Sequence, residues 1–152
     1  MIESMAALCL SLAIHEGIVY YVYNDKLGFK TVGVGHKIVQ TDPEWDLPAG
    51  TPVEEDRVIQ LFEEDCSKAI DNARDVIPSF NSLPHGVQAI LVEMAFQMGK
   101  SGLRGFKKMV AALELRDYET AAAEMLDSRW YQQTPGRCEK LSWAMSSYSI
   151  PF

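Results

Sequence analysis

The spacing of apolar positions predicts a long amphipathic helix in the first half of the chain. Apolar residues recur at intervals of three and four from Val58 to Ala73, which places them on one face of a helix of about twenty residues. Thr51, Pro52 and Glu54 precede this run with the pattern of a capping box, in which proline takes the first helical position. The pattern therefore predicts a helix that begins at the end of the loop that contains Pro52.

A different pattern precedes this helix. Segments 18–24 and 29–34 are rich in β-branched and aromatic residues and flank the turn-forming sequence NDKLG, so they predict a β-hairpin. The apolar stretch 5–14 predicts a buried first helix that stops at Gly17, because glycine readily adopts the left-handed conformation at a helix end. The three prolines within 41–52 forbid a regular helix and predict a loop.

The second half of the chain predicts helices separated by short breaks. The expected segments are a helix restarted by Ser82 and Pro84 and ended at Gly99, followed by helices at about 102–114, 118–127 and 136–147, the last opened by Thr134 and Pro135. Because strands are expected only in the first quarter of the chain, the pattern predicts the α+β class. A length of 152 residues is that of one ordinary domain.

Charge changes the list of plausible partners. The formal net charge of −7 is uneven, with −8 in residues 1–76 and +1 in residues 77–152. Nucleic acid binding would need a clustered basic face. Only residues 100–108, with four cations, approach such a cluster, and a solvated helix face explains them more simply. We therefore expect no nucleic acid partner.

The cysteines and histidines give no sign of a metal or a cofactor. Cys9, Cys66 and Cys138 are odd in number, widely separated and without CxxC spacing, so we expect buried free thiols and a reducing compartment. The three histidines lack metal-ligand spacing. The apolar stretch 5–14 lacks the basic start of a signal peptide and is too short to span a bilayer, so we expect neither secretion nor integral membrane association.

The candidate catalytic residues are acidic residues near the start of the chain. Five pairs of acidic residues are nine positions apart, where about three are expected by chance, so spacing alone decides nothing. Glu16 and Asp25 differ from the other pairs, because the chain is expected to reverse direction between them. Glu16 would lie at the end of a helix and Asp25 at a hairpin turn. A helix C-terminus disfavours the negative charge of Glu16 by about 0.3 to 1 kcal/mol. From the residues alone, a catalytic pair and solvated surface acids both remain open.

A resemblance to a known family favours the catalytic interpretation. In the sequence HEGIVYYVYNDKLGFKTVGVGH, Glu16, Asp25 and Thr31 resemble the Glu-x8-Asp-x5-Thr motif of phage-type lysozymes, the T4-type enzymes of glycoside hydrolase family 24. Segments 95–106 and 128–137 are similar to C-terminal signatures of the same family. The resemblance covers about residues 8–143.

The family fold implies one lysozyme domain over residues 1–152. It would contain a small β lobe at about residues 12–60, joined by a long helix to a mainly helical lobe built from residues 1–11 and 61–152, with the active-site cleft between the lobes. The loop around residues 40–50 is shorter than in the T4 enzyme.

The resemblance also implies an activity. A phage-type lysozyme hydrolyses the β-1,4 bond between N-acetylmuramic acid and N-acetylglucosamine in peptidoglycan. Glu16 would be the general acid, and Asp25 with Thr31 would hold a water on the opposite face of the sugar, which implies inversion at the anomeric carbon. Such an endolysin would be a monomer without a cofactor, would accumulate in the host cytoplasm, and would reach the glycan strands of the wall after membrane permeabilisation.

Further residues are assigned by the resemblance alone. Substrate contacts are implied at Tyr23, Lys37, Phe96, Gln97, Met109 and Glu124, and supporting roles at Arg137, His36 and Asp65. Arg137 matches the arginine that pairs with the acidic Glu16, and His36 matches the residue that pairs with Asp65. Lys37, Met109 and Glu124 differ in type from the T4 enzyme, which leaves subsite preferences open. Two alternatives also remain: a weak or inactive glycan-binding homologue, and a lytic transglycosylase, which would release anhydro sugars.

Overall fold

The computed structural model of the chain describes residues 17–149. These residues belong to two compact units, one that ends at Lys68 and one that begins at Ala69. The predicted first helix at 5–14 and the predicted acid Glu16 lie outside the described residues. The single-domain assignment and the lobe boundaries stay predictions.

Unit 1 contains a three-stranded antiparallel sheet. Its strands are β1 (Val19–Asn24), β2 (Lys30–Gly33) and β3 (His36–Lys37), in the spatial order β1-β2-β3. The predicted hairpin is therefore confirmed. The third strand was not predicted, because two residues are too few to show an alternating pattern.

The long helix of the chain, α1, spans Glu55–Val76 and confirms the predicted amphipathic segment. It starts later than the capping pattern suggested. The amide of Val53 donates to the carbonyl of Tyr20 at 2.8 Å, so the residues before the helix are held extended beside β1. The Thr51 hydroxyl donates to the carbonyl of Pro48 at 2.7 Å and does not cap a helix. Pairing with the sheet therefore overrides the local start signal.

The proline segment has little regular structure, as predicted, apart from one 3-10 helix at Pro43–Asp46. The core of unit 1 lies between the sheet and the first turns of α1. Its buried side chains are Val22, Val32, Ile38, Val53, Val58 and Leu61. One face of the sheet is thus covered by apolar packing.

Unit 2 is helical throughout its described residues. After the end of α1 it contains α2 (His85–Arg104), α3 (Lys107–Glu114), α4 (Tyr118–Leu126), α5 (Arg129–Gln133) and α6 (Pro135–Ser146), with 3-10 helices at Phe80–Ser82 and Ser147–Ser149. The short helix α5 was not predicted. Gly99, the predicted end of the second helix, interrupts α2 with φ 73° and ψ 178°. Helices dominate a small sheet at the start of the described chain, so the α+β class is confirmed.

The core of unit 2 is built from the apolar faces of its helices. Fully buried large side chains include Ile77, Leu91, Met94, Leu103, Leu113, Met125 and Met145. Among the described residues, no helix is both long enough and apolar enough to cross a membrane.

Candidate active site

Asp25 is anchored at the turn of the hairpin. Its Oδ1 accepts hydrogen bonds from the backbone amides of Leu27 at 2.9 Å and Phe29 at 2.8 Å. Asp25 also donates its own amide to the Phe29 carbonyl at 2.9 Å. Both side-chain bonds fall on Oδ1, so Oδ2 takes part in neither of them. The turn therefore fixes the half-buried carboxylate in one orientation.

Thr31 is held at the same backbone unit. Its hydroxyl donates to the carbonyl of Phe29 at 2.9 Å, which is the carbonyl that accepts the Asp25 amide. The Thr31 residue is only 2% exposed. The structure therefore brings two of the three motif residues to one peptide carbonyl. Glu16, the third, lies outside the described residues.

The sheet register places other predicted residues beside Thr31. Tyr23 of β1 and Lys37 of β3 are its partners on either side. Residues directly opposite one another in an antiparallel sheet direct their side chains to the same face. Tyr23, Thr31 and Lys37 therefore form a row across one sheet face. The Lys37 ammonium lies 5.0 Å from the ring centroid of Phe29, which belongs to that face too.

His36 lies between two carboxylates. Its Nδ1 is 2.7 Å from Asp65 Oδ2 and its Nε2 is 2.8 Å from Asp42 Oδ2. The pair with Asp65 was predicted, and the contact with Asp42 was not. Burial lowers the pKa of His36, but the hydrogen bonds and charges of the two aspartates outweigh it, so the pKa is raised. These contacts tie β3 to the proline segment and to α1.

A second charged pair extends this network. Arg57 of α1 donates from Nε and Nη2 to the two carboxylate oxygens of Glu44, both at 3.0 Å. Glu44 is buried, and the bidentate bond from Arg57 lowers its pKa. Arg57 Nη2 is also 3.7 Å from Asp42 Oδ1. We call His36, Asp42, Glu44, Arg57 and Asp65 the charged network.

The sequence reasoning missed three members of this network. Asp42, Glu44 and Arg57 match none of the patterns that drew attention to the motif residues. One signal was present, because Arg57 is the only cation between residues 38 and 67, a segment with nine acidic residues. An isolated cation in such a segment is a good candidate for a structural ion pair.

Unit 2 places one predicted substrate residue in a defined contact. Gln97 accepts a hydrogen bond on Oε1 from the indole nitrogen of Trp130 at 2.9 Å. That bond orients the amide, and within the described residues its buried Nε2 has no hydrogen-bond partner. Phe106 packs edge-on against Trp130, with the ring centroids 6.2 Å apart. The predicted contact of Gln97 with substrate stays a prediction.

The other predicted residues of unit 2 occupy varied environments. Met109 is fully buried, so its side chain belongs to the packing of this unit. Phe96, Glu124 and Arg137 are half-buried. Their predicted contacts with substrate, and the predicted pairing of Arg137, stay predictions. Within the described residues, no group of three or more acidic, histidine or cysteine side chains is placed to hold a metal ion.

The cysteines require one correction. Cys66 is disulfide-bonded, whereas a free thiol was expected. Spacing along the chain does not report which cysteines the fold brings together, so the absence of a CxxC pattern was a poor guide. Cys138 is free and buried, as expected, and burial raises the pKa of its thiol to about 11. The argument for a reducing compartment therefore loses the support of Cys66.

Comparisons with known proteins add independent information. The sequence model of the family "Phage lysozyme" matches residues 13–142, a range that contains all three motif residues. The chain is 32% identical to the pre-baseplate central spike protein Gp5 of Enterobacteria phage T4 over 146 residues, which cover 84% of this chain and 25% of that protein. It is also 32% identical to the peptidoglycan hydrolase gp36 of Pseudomonas phage phiKMV over 117 residues, which cover 77% of this chain and 12% of that protein.

A third relative has a similar length. The probable T4-type lysozyme 2 of Dictyostelium discoideum is 28% identical over 145 residues, which cover 83% of this chain and 85% of that protein. This chain thus spans only a small part of the two phage proteins and most of the Dictyostelium protein. Because the family model matches most of its length, the chain belongs to the phage lysozyme family.

Proposed function

We propose that the chain is a peptidoglycan hydrolase that cleaves the β-1,4 bond between N-acetylmuramic acid and N-acetylglucosamine. The observation that carries the proposal is the match of the phage lysozyme family across Glu16, Asp25 and Thr31. Two relatives, a peptidoglycan hydrolase and a probable T4-type lysozyme, support the substrate class.

The proposed chemistry divides the work between two carboxyl groups. Glu16 protonates the leaving oxygen of the glycosidic bond. The Asp25 carboxylate accepts a proton from the attacking water as the water oxygen bonds to the anomeric carbon and the bond from that carbon to the leaving oxygen breaks. Its second oxygen, Oδ2, can orient this water. Water as nucleophile requires carboxyl groups about 6.5 to 9.5 Å apart and gives inversion. The product of a β-glycoside is then the α-anomer.

The turn geometry supports this role for Asp25. A base that holds water must keep its position while the substrate binds, and the two amide bonds to Oδ1 supply that rigidity. Thr31 is fixed at the Phe29 carbonyl, and its hydroxyl oxygen can still accept a hydrogen bond from water. The two residues can therefore hold one water between them.

The test is digestion of purified peptidoglycan, with the released fragments separated and identified by mass spectrometry. The parent protein should release reducing muropeptides, and Glu16→Gln should lose about a thousandfold of the rate, since glutamine keeps the shape of the side chain but cannot act as a general acid. The matched control, Glu63→Gln, changes an exposed glutamate of α1 and should keep full activity. Full activity of Glu16→Gln would contradict the proposal.

The same digest separates the alternatives. Anhydro sugars would identify a lytic transglycosylase, and binding without turnover would identify an inactive glycan-binding homologue. NMR of the first product reports stereochemistry, and a β-anomer would exclude water attack with inversion. Asp25→Asn, compared with the exposed control Asp46→Asn, tests the base.

We also propose, from the family resemblance, that the protein acts as a monomer on the wall after the host membrane is permeabilised. Fractionation of infected or expressing cells before and after permeabilisation would test this route. Protein found outside the membrane before permeabilisation would contradict it.

A further inference from the structure

The sheet face that carries Thr31 displays an unusual group of aromatic rings. Tyr21 is 51% exposed and Phe29 is 54% exposed, although both belong to the hairpin. The rings of Tyr21 and Tyr23 meet edge to face, with centroids 6.4 Å apart. Phe29 lies beneath the Lys37 ammonium. We call Tyr21, Tyr23, Phe29 and Lys37 the aromatic face.

These rings are not part of the core of unit 1. The opposite face of the sheet supplies Val22, Val32 and Ile38 to the buried cluster. A sheet with one packed face normally shows polar side chains on its solvated face, because exposed rings forgo their burial energy. Adjacent exposed aromatic side chains on such a face indicate a binding surface.

The aromatic face is continuous with the proposed catalytic groups. The backbone amide of Phe29 donates a hydrogen bond to the Asp25 side chain, and its carbonyl accepts one from the Thr31 hydroxyl. Phe29 is therefore a direct neighbour of both residues. A ligand that lies on the Phe29 ring therefore contacts the residue whose backbone holds Asp25 and Thr31. In the proposed reaction the substrate strand binds beside Asp25, so this strand is the expected ligand of the aromatic face.

The chemistry of the face also matches a glycan. Pyranose rings present apolar C–H faces with a polar rim, and aromatic rings offer a flat apolar surface of the same kind. Lys37 adds a cation to a chain with a net charge of −7. A carboxylate on the sugar can pair with that cation while the ring lies on the aromatic surface. Muramic acid has such a carboxylate on its lactyl group wherever no stem peptide is attached there.

We propose that Tyr21 and Phe29 form an additional sugar-binding subsite for the peptidoglycan strand, with Lys37 pairing to its anionic substituents. This inference rests on the proposed function, since it takes the substrate of the same site as the ligand. Tyr21 and Phe29 set affinity and strand position and leave the chemical step to the carboxyl groups.

Binding measurements on the full chain test the subsite. The Glu16→Gln background prevents turnover, and calorimetry with chitohexaose and with a peptidoglycan hexasaccharide gives two affinities. Tyr21→Ala and Phe29→Ala should each weaken binding of both probes about fivefold, which corresponds to about 1 kcal/mol. Phe29→Tyr should restore binding. Trp143→Ala, which removes a 75% exposed ring in unit 2, is the matched control and should change neither affinity.

Lys37 gives a second, independent readout. Lys37→Met should weaken the peptidoglycan hexasaccharide more than chitohexaose, because only the former carries carboxylates. The difference should shrink as salt rises, since an exposed ion pair is screened. In the wild-type Glu16 background, Phe29→Ala should raise KM and leave kcat within about twofold, because backbone bonds hold Asp25.

Several results would overturn the proposal. One is unchanged affinity in folded Tyr21→Ala and Phe29→Ala proteins with parental melting temperatures. Another is a dimer, seen by sedimentation, that Phe29→Ala abolishes, because a second copy would then be the occupant. If the parent hydrolyses peptidoglycan and the variants bind normally, only the subsite fails. If ring-dependent glycan binding occurs without hydrolysis, the proposed function fails and the subsite stands.

Discussion

The protonation of His36 should control the stability of unit 1 between weakly acidic and alkaline pH. Asp65 and Asp42 each accept a hydrogen bond from one ring nitrogen when the imidazole carries both protons. The neutral ring keeps one proton, so it leaves one of the two carboxylates facing a lone pair. The arrangement therefore favours the charged ring, and the pKa of His36 is raised.

The sign of the effect follows from this direction. A group with a raised folded-state pKa contributes its stability fully below its unfolded value, about 6.5 for histidine, and loses it as the pH rises through the folded value. Asp42 works in the opposite range: burial raises its pKa, but the Val39 amide and His36 outweigh this and lower it. Its contribution is lost as the pH falls below about 3.9 and through the folded value.

The size of the effect can be worked from the contacts. Hydrogen bonds to charged groups contribute about 1.5 to 3 kcal/mol each. The side chains of His36, Asp42 and Asp65 are 12%, 15% and 21% exposed, so solvent screens them only in part. Desolvation of the imidazolium offsets part of the gain. A net loss of about 2 kcal/mol is expected for His36→Asn at pH 6, which corresponds to a fall of about 4 to 8 °C in Tm for a chain of this size.

Urea unfolding of the parent and of His36→Asn at intervals from pH 5 to pH 9 measures this effect. The difference in the free energy of unfolding should have its full size from pH 5 to about pH 6 and should shrink at the alkaline end. The control, His85→Asn, alters an exposed histidine and should stay within about 0.5 kcal/mol at every pH. A difference for His36→Asn that does not change with pH would refute the reasoning, as would a titration by NMR with a pKa below 6.5.

Three further predictions concern unit 2. Gly86→Ala should be less stable in thermal melting than Gly136→Ala by about 1 to 3 kcal/mol, since an added Cβ at Gly86 would clash with the Tyr148 hydroxyl oxygen, whereas at Gly136 it meets nothing within 4 Å. Arg116 has φ 58°, so Arg116→Gly should be more stable than Arg116→Ala by about 1 kcal/mol in urea unfolding, because both lose the guanidinium and only glycine relieves the backbone. Cys138 should react with a thiol reagent at pH 8 more than about a hundredfold slower than glutathione, since burial raises its pKa to about 11, and unfolding in urea should abolish the difference.

The sequence predicted the elements whose signals are local. The hairpin and the body of α1 followed from strand propensity and helical periodicity, and the structure confirms both. The start of α1 was not predicted correctly. The residues before Glu55 are held extended by the hydrogen bond from the Val53 amide to the Tyr20 carbonyl, and Tyr20 is more than thirty positions away in the chain. Capping rules consider only neighbouring residues and therefore cannot predict such long-range pairing.

In the candidate site, too, the sequence predicted residues with a local motif but not the long-range contacts. The motif spacing singled out Asp25 and Thr31, but no pattern indicated that the Phe29 peptide would join them. The pairing of Glu44 with Arg57 depends on the path of the proline segment over α1. Contacts between irregular segments and helices produce no periodic pattern in the sequence, so only the folded structure reveals them.

The acidic character of the first half of the chain does not oppose glycan binding at the aromatic face. Of its acids, Asp42, Glu44 and Asp65 are paired within the charged network and contribute little to the external field. The first turns of α1 pack Val58 and Leu61 against the core face of the sheet, so this part of the helix lies on the side away from the aromatic rings. At physiological ionic strength, charges separated by more than about 8 Å in solvent are largely screened.

Lys37 and Asp25 place two opposite charges close to the rings that an approaching strand would meet. The Lys37 ammonium lies over Phe29, and the Asp25 carboxylate is bonded to the backbone amide of the same residue. A cation beside the rings and an anion beside the proposed scissile bond would favour one direction of the anionic strand. Charge placement, and not net charge, is then the quantity that matters for this site.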